Sequence, residues 1–146
     1  MTLAELTQPS HREKIVVECC ELIDAEVGAK AGLSGIAVKG AYKLVKAVKR
    51  GFVRDVVDAM LDEWVAKLDP FYQAWLGEGA GKPMADYMVA RGEEIAERLL
   101  EVTDGRARAA RNAGVKKMYE KLRPMAKRHV EAALPRLGRL LERNVP

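Results

Sequence analysis

The chain has 146 residues, 49% of them hydrophobic and 32% charged, and a net charge of +4. That length is one ordinary domain able to bury about 70% of the surface its unfolded form exposes, and the composition excludes a disordered chain, a collagen-like repeat and a disulfide-stapled scaffold. No stretch approaches the ~20 apolar residues of a membrane span and residues 1–10 lack a secretory signal, so the expected compartment is the cytoplasm, which also suits a chain whose two cysteines, Cys19 and Cys20, are adjacent.

Apolar residues recur at three- and four-residue steps with almost no strand signal. This predicts an all-α fold, a compact bundle of about six to eight helices in a single domain, some of them short or kinked at proline. Ser10 and Glu13 form the S-x-x-E pattern whose side chains can satisfy each other's free backbone N–H groups, so the first helix is expected to open there. Its inward face is Ile15, Val16, Cys19, Leu22, Ile23 and Val27. Gly28, Gly32, Ser34 and Gly35 predict a turn, and a second helix runs from about Ile36 to Arg50 with Gly51 as its cap. The third carries the widest apolar stripe, Val53, Val56, Val57, Met60, Leu61, Trp64, Val65 and Leu68, and Trp64 at its centre is expected to be buried.

Asp69 followed by Pro70 predicts the start of a separate short helix ending near Leu76. Gly77, Gly79, Gly81 and Pro83 predict a flexible interhelical loop over 77–83. A long helix then runs from Met84 to Val102 and is punctuated by Thr103, Asp104 and Gly105. Helical rhythm resumes from Ala107 to Leu141, with Pro124 and Pro135 as breaks or kinks. Met60, Met84, Met88, Met118 and Met125 fall on apolar stripes and read as core filler.

No arrangement of residues reads as a catalytic site, a metal site or a cofactor site. A di-iron bundle needs Glu-x-x-His, but the residues three before His11 and His129 are Gln8 and Ala126. Gly77 to Lys82 has neither the glycine spacing of a phosphate loop nor the hydroxyl after its lysine, since Pro83 follows. Ser34 lacks the glycine pattern and the strand of a nucleophile elbow and is better placed to cap a helix. Cys19 reads as a core thiol, Cys20 as a boundary one, and His129 as a packed or surface histidine in a basic stretch.

Charge is distributed unevenly: residues 1–50, 51–104 and 105–146 carry +2, −7 and +9. In the first segment Lys39, Lys43, Lys46 and Arg50 form one cationic stripe opposite an apolar helix face. In the last, Arg106, Arg108, Arg111, Lys116, Lys117, Lys121, Arg123, Lys127 and Arg128 are too many for one narrow stripe. These thirteen cations are the candidate anion or partner surface. Pairing with the acidic middle segment has first claim on the later nine.

The run Leu22-Ile23-Asp24-Ala25-Glu26-Val27, with Lys30, Gly32, Leu33, Ser34 and Gly35, and the later Lys121, Leu122, Arg123 and His129 to Leu134, resembles a family of small, uncharacterised bacterial proteins. The resemblance covers most of the chain and implies no catalytic residues. Together these features predict a non-enzymatic interaction or scaffold protein, able to self-associate and partnered by protein. A binder of nucleic acid or of an acidic membrane surface is the second reading, and a carrier of an apolar ligand the third. Nucleic acid is disfavoured by the lack of a base-reading helix pair and of aromatics beside the arginines.

Overall fold

The computed structural model describes residues 2–30, 35–36, 38–40, 42–43, 51–79 and 81–145, and every regular element among them is helical. A 3₁₀ turn, Leu3–Thr7, precedes α1 (Pro9–Ala29); α2 (Phe52–Ala74), a π-helical turn (Trp75–Gly79), α3 (Met84–Ala90), α4 (Gly92–Ala109) and α5 (Ala113–Asn144) follow. Two compact units emerge, Glu5–Asp62 in one and Met1–Ala4 with Glu63–Pro146 in the other.

In the first unit α1 opens one residue before the expected cap. Pro9 occupies the first turn, where its missing N–H costs nothing, and the Gln8 carbonyl takes the His11 and Arg12 amides. Ser10 and Glu13 form no capping pair: with the helix opening at Pro9, Ser10 already lies inside its first turn, and Glu13 accepts from the Arg54 guanidinium. Ile15 and Val16 are fully buried. Arg12 reaches across to α2 and forks onto Asp58 at 2.8 Å and Asp62 at 3.0 Å. Most of the expected second helix, Lys46 and Arg50 included, lies outside the described residues. Gly51, at φ +78°, is in the left-handed region that favours glycine, and its carbonyl accepts the Asp55 amide at the start of α2.

In the second unit the inward track of α2 continues as Val65, Leu68 and Tyr72 and ends on Trp75, all buried at steps of three and four. Trp64 lies at the edge of that track and is only half-buried. The expected break at Asp69-Pro70 does not occur. Pro70 forfeits one bond to the Ala66 carbonyl, but both residues are on the exposed side, where water can serve that carbonyl. Asp69 instead accepts the Leu3 amide at 2.8 Å, which fixes the amino-terminal turn whose Leu3 is completely buried. The helix then passes its expected end near Leu76 as a π turn to Gly79, and the Trp75 indole donates to the Lys82 carbonyl at 2.9 Å.

The long helix expected from Met84 breaks at Arg91 (φ −113°, ψ 24°), dividing α3 from α4. Thr103, Asp104 and Gly105 do not end α4: the Thr103 hydroxyl donates back to the Leu100 carbonyl, which is compatible with a continuing helix, and the chain stays helical to Ala109. Pro124 and Pro135 likewise lie inside one continuous helix, α5.

Both α3 and α4 pack on α5. Leu134, Leu140 and Leu141 of α5 are buried with Met84 and Met88 of α3 and Ile95, Ala96 and Leu99 of α4. The tightest approach is Gly138, where a Cβ would stand 2.5 Å from the Ala85 Cα. A few residues on, Glu142 accepts the Met84 amide at 2.6 Å, capping the start of α3 with a carboxylate from another helix where Pro83 offers no side-chain cap. Gly138→Ala should therefore force α3 away from α5 and cost about 1–3 kcal/mol in urea denaturation. Trp75→Ala should cost about 3–5 kcal/mol and the half-buried Trp64→Ala clearly less; equal losses would show that the two rings are buried alike.

Candidate binding surface

The amino-terminal half of α5 is where the acidic and basic segments of the sequence meet. Its inward side follows α4. Arg123 donates to both carboxylate oxygens of Asp104 at 2.8 and 2.9 Å and to both of Glu97 at 3.1 Å. The Tyr119 hydroxyl donates to Asp104 and lies 2.8 Å from the Thr103 hydroxyl. Lys127 reaches Glu97 at 3.1 Å and Glu93 at 3.6 Å. Nearby, Glu101 is held by Arg98 and Lys67, and Arg106 pairs with Glu63 at 3.3 Å.

Electrostatics follow the geometry. The Arg123 guanidinium, then the Lys127 ammonium, pull the Glu97 carboxyl down to about 2, and Arg123 also lowers Asp104. A fork onto two carboxylates is the strong form of such contacts, since a planar guanidinium matches carboxylate geometry and charge assists every bond.

The nine candidate cations between Arg106 and Arg128 thus separate residue by residue. Arg106, Arg123 and Lys127 are paired with acids of the middle segment. Arg108, Arg111, Lys116, Lys117, Lys121 and Arg128 are exposed, and none has an ion-pair partner among the described residues. The earlier stripe is half described: Lys39 and Lys43 are exposed, while Lys46 and Arg50 lie outside the described residues.

Two methionines correct the sequence reading. Met84 and Met88 are core, but Met118 is 64% exposed and Met125 42%, and Leu122 between them is 47% exposed. All three are on the side of α5 turned from α4, because Tyr119, Arg123 and Lys127 occupy the side that packs. Periodicity reports that residues share a face; it does not report whether another element covers that face.

Cys19 and Cys20 are half-buried, and burial pushes the Cys19 thiol up to about 12, away from the thiolate a nucleophile needs. His129 is half-buried. Among the described residues no group of three or more His, Cys, Asp or Glu is placed to hold a metal ion, and no helix is long and apolar enough to cross a membrane. An apolar pocket between Leu68, Tyr72, Met84, Tyr87, Met88 and Leu141 measures about 10 Å³, the room of a single water.

The chain belongs to a family of unknown function, DUF6918, which it matches over residues 3–145. An uncharacterised family is what the Leu22–Val27 and Lys121–Leu134 segments pointed to. No curated protein and no solved structure matches the chain.

The Arg123 network makes a prediction with a definite sign. Carboxyls whose folded values are depressed contribute stability that is fully present above their ordinary values, 4.5 for Glu97 and 3.8 for Asp104, and is lost as pH falls through the folded values. Glu97 is 40% exposed, so solvent screens its share. Arg123→Ala should cost about 1–2 kcal/mol at neutral pH. In urea denaturation across pH, that gap between native chain and variant should shrink from about pH 5 downward and nearly vanish by about pH 2. A gap that stays constant to acid would assign the loss to packing of the arginine stem.

Proposed function

We propose that this chain is a non-enzymatic helical interaction protein of the cytoplasm that works through the outer face of α5. The observation that carries the reading is the separation of charge across that one helix. Its inner side satisfies Arg123 and Lys127 with the acids of α4, while its outer side holds Lys117, Lys121 and Arg128, without ion-pair partners among the described residues, beside exposed Met118, Leu122 and Met125. Exposed apolar side chains rimmed by polar ones mark interaction surfaces. A basic face of this sort binds either an acidic protein surface, a second copy included, or a polyanion. The carrier reading draws least support, since the apolar pocket between α2, α3 and α5 has room for about one water.

Native mass spectrometry tests the reading on the full chain, alone at rising concentration, with a short DNA duplex, and with nanodiscs of anionic phospholipid. At least one of these should give a stable assembly. Lys117→Glu with Lys121→Glu should weaken that assembly about tenfold while moving the melting temperature by less than about 2 °C, because neither lysine has an ion-pair partner among the described residues. A chain that stays monomeric and bare in all three, or a double variant that assembles like the native chain, would overturn it.

A further inference from the structure

The outer face of α5 can be assigned a partner from its shape and chemistry. At 3.6 residues per turn, Lys117, Lys121 and Arg128 and the apolar Met118, Leu122 and Met125 fall within about 140° of the helix circumference. The cations gather on one side of this arc and the apolar residues on the other, and all six are exposed. Opposite them, Tyr119, Arg123 and Lys127 are engaged with α4. Pro124 lies inside the helix without ending it, so the face is continuous over three turns.

We infer that this face docks on an anionic phospholipid surface, with its apolar side chains entering the headgroup boundary and its cations meeting lipid phosphates and carboxylates. The inference rests on the proposed interaction role and names its partner. Three observations choose lipid over the other occupants.

A protein groove that takes a basic amphipathic helix encloses it on several sides, whereas α5 is already packed along its inner side and offers one convex ridge. A flat or soft partner fits that ridge. The cations and the apolar residues lie side by side along this one arc, the arrangement of a helix lying in the headgroup boundary, where the apolar side chains enter and the cations stay at the anionic surface. Nucleic acid would engage the cations but would leave Met118, Leu122 and Met125 with nothing apolar to meet, and no aromatic on the face could stack on a base. Among the described residues no helix crosses a membrane, so attachment would be peripheral, as for amphipathic segments lying in the interface plane.

Each Lys or Arg brought near an anionic leaflet strengthens attachment about fivefold, and buried apolar side chains add to it, so two kinds of substitution should act independently. Vesicle sedimentation reads this directly. The native chain should sediment at ~100 mM salt with phosphatidylcholine vesicles containing about 30% phosphatidylserine, and not with pure phosphatidylcholine. Lys117→Glu with Lys121→Glu should reduce binding at least about tenfold, and Met118→Ser with Leu122→Ser should also reduce it about tenfold at unchanged charge. Lys14→Glu with Lys82→Glu, an equal charge change at exposed lysines off α5, should leave most of it.

Hydrogen exchange on the native chain with anionic vesicles supplies a readout independent of the variants: protection should rise over residues 117–128. The inference is overturned if the native chain fails to sediment with anionic vesicles, or if the serine pair binds them undiminished. It is overturned too if the lysine pair off α5 loses as much as the pair on it, or if protection rises elsewhere. Strong binding to duplex DNA that only the charge reversals abolish, or self-association alone, would sink the lipid assignment while leaving the interaction role standing. Failure in all three native mass-spectrometry conditions would remove both.

Discussion

The fork of Arg123 onto Asp104 and Glu97 is the contact on which the reading of the carboxyl-terminal half depends. It decides the rotation of α5 about its own axis. With 3.6 residues per turn, fixing Arg123 inward also places Tyr119 and Lys127 toward α4 and sends Lys117, Met118, Lys121 and Leu122 outward. A rotation of α5 by a quarter turn would strand the guanidinium and leave Asp104 and Glu97, both on α4, without the cation they share, so the pairing favours this register. Farther along the same helix, Gly138 against Ala85 and Glu142 on the Met84 amide set the approach of α3. One helix thereby organises two others, by charge at one end and by close backbone contact at the other.

This arrangement gives the uneven charge of the chain a physical meaning. The acids of α4 do not form a separate anionic face: Glu93, Glu97, Glu101 and Asp104 have cationic neighbours within 4 Å, drawn from α2, α4 itself and α5. Local compensation uses only some of the cations on α5. Half of the six cations left unpaired among the described residues, Lys117, Lys121 and Arg128, lie on the side of α5 that packing leaves outside.

Much of the fold was legible in the amino-acid sequence, and the parts that were not share a cause. Helical periods, the inward track through Val57, Leu61, Val65 and Leu68, and the buried Met84 and Met88 are local patterns. The errors came wherever a distant partner overrode a local stop signal. Asp69-Pro70 reads as a helix start, but Leu3, 66 residues away, engages the aspartate and the proline sits where its lost bond faces water. Thr103-Asp104-Gly105 reads as a helix end, but Arg123 and Tyr119 hold Asp104 within α4. Ser10 and Glu13 read as a reciprocal cap, but the helix opens at Pro9 and Arg54 takes the glutamate. Conversely, the break at Arg91 interrupts a segment whose apolar spacing runs on, and its one local signal is the glycine that follows, Gly92.

The same distinction separates core from surface along α5. Met118, Leu122 and Met125 recur at steps of three and four like buried apolar residues elsewhere, but Leu134 and Leu141 lie about 160° round α5 from Met118 and Met125, on the side that Arg123 and Lys127 share. The carboxyl half is covered because α3 and α4 both reach it. The amino half lies against α4 near that helix's end at Ala109, and the side turned from α4 stays exposed. Which side of α5 is interior is therefore set by the neighbours that reach it, a property of the fold that apolar spacing alone does not carry.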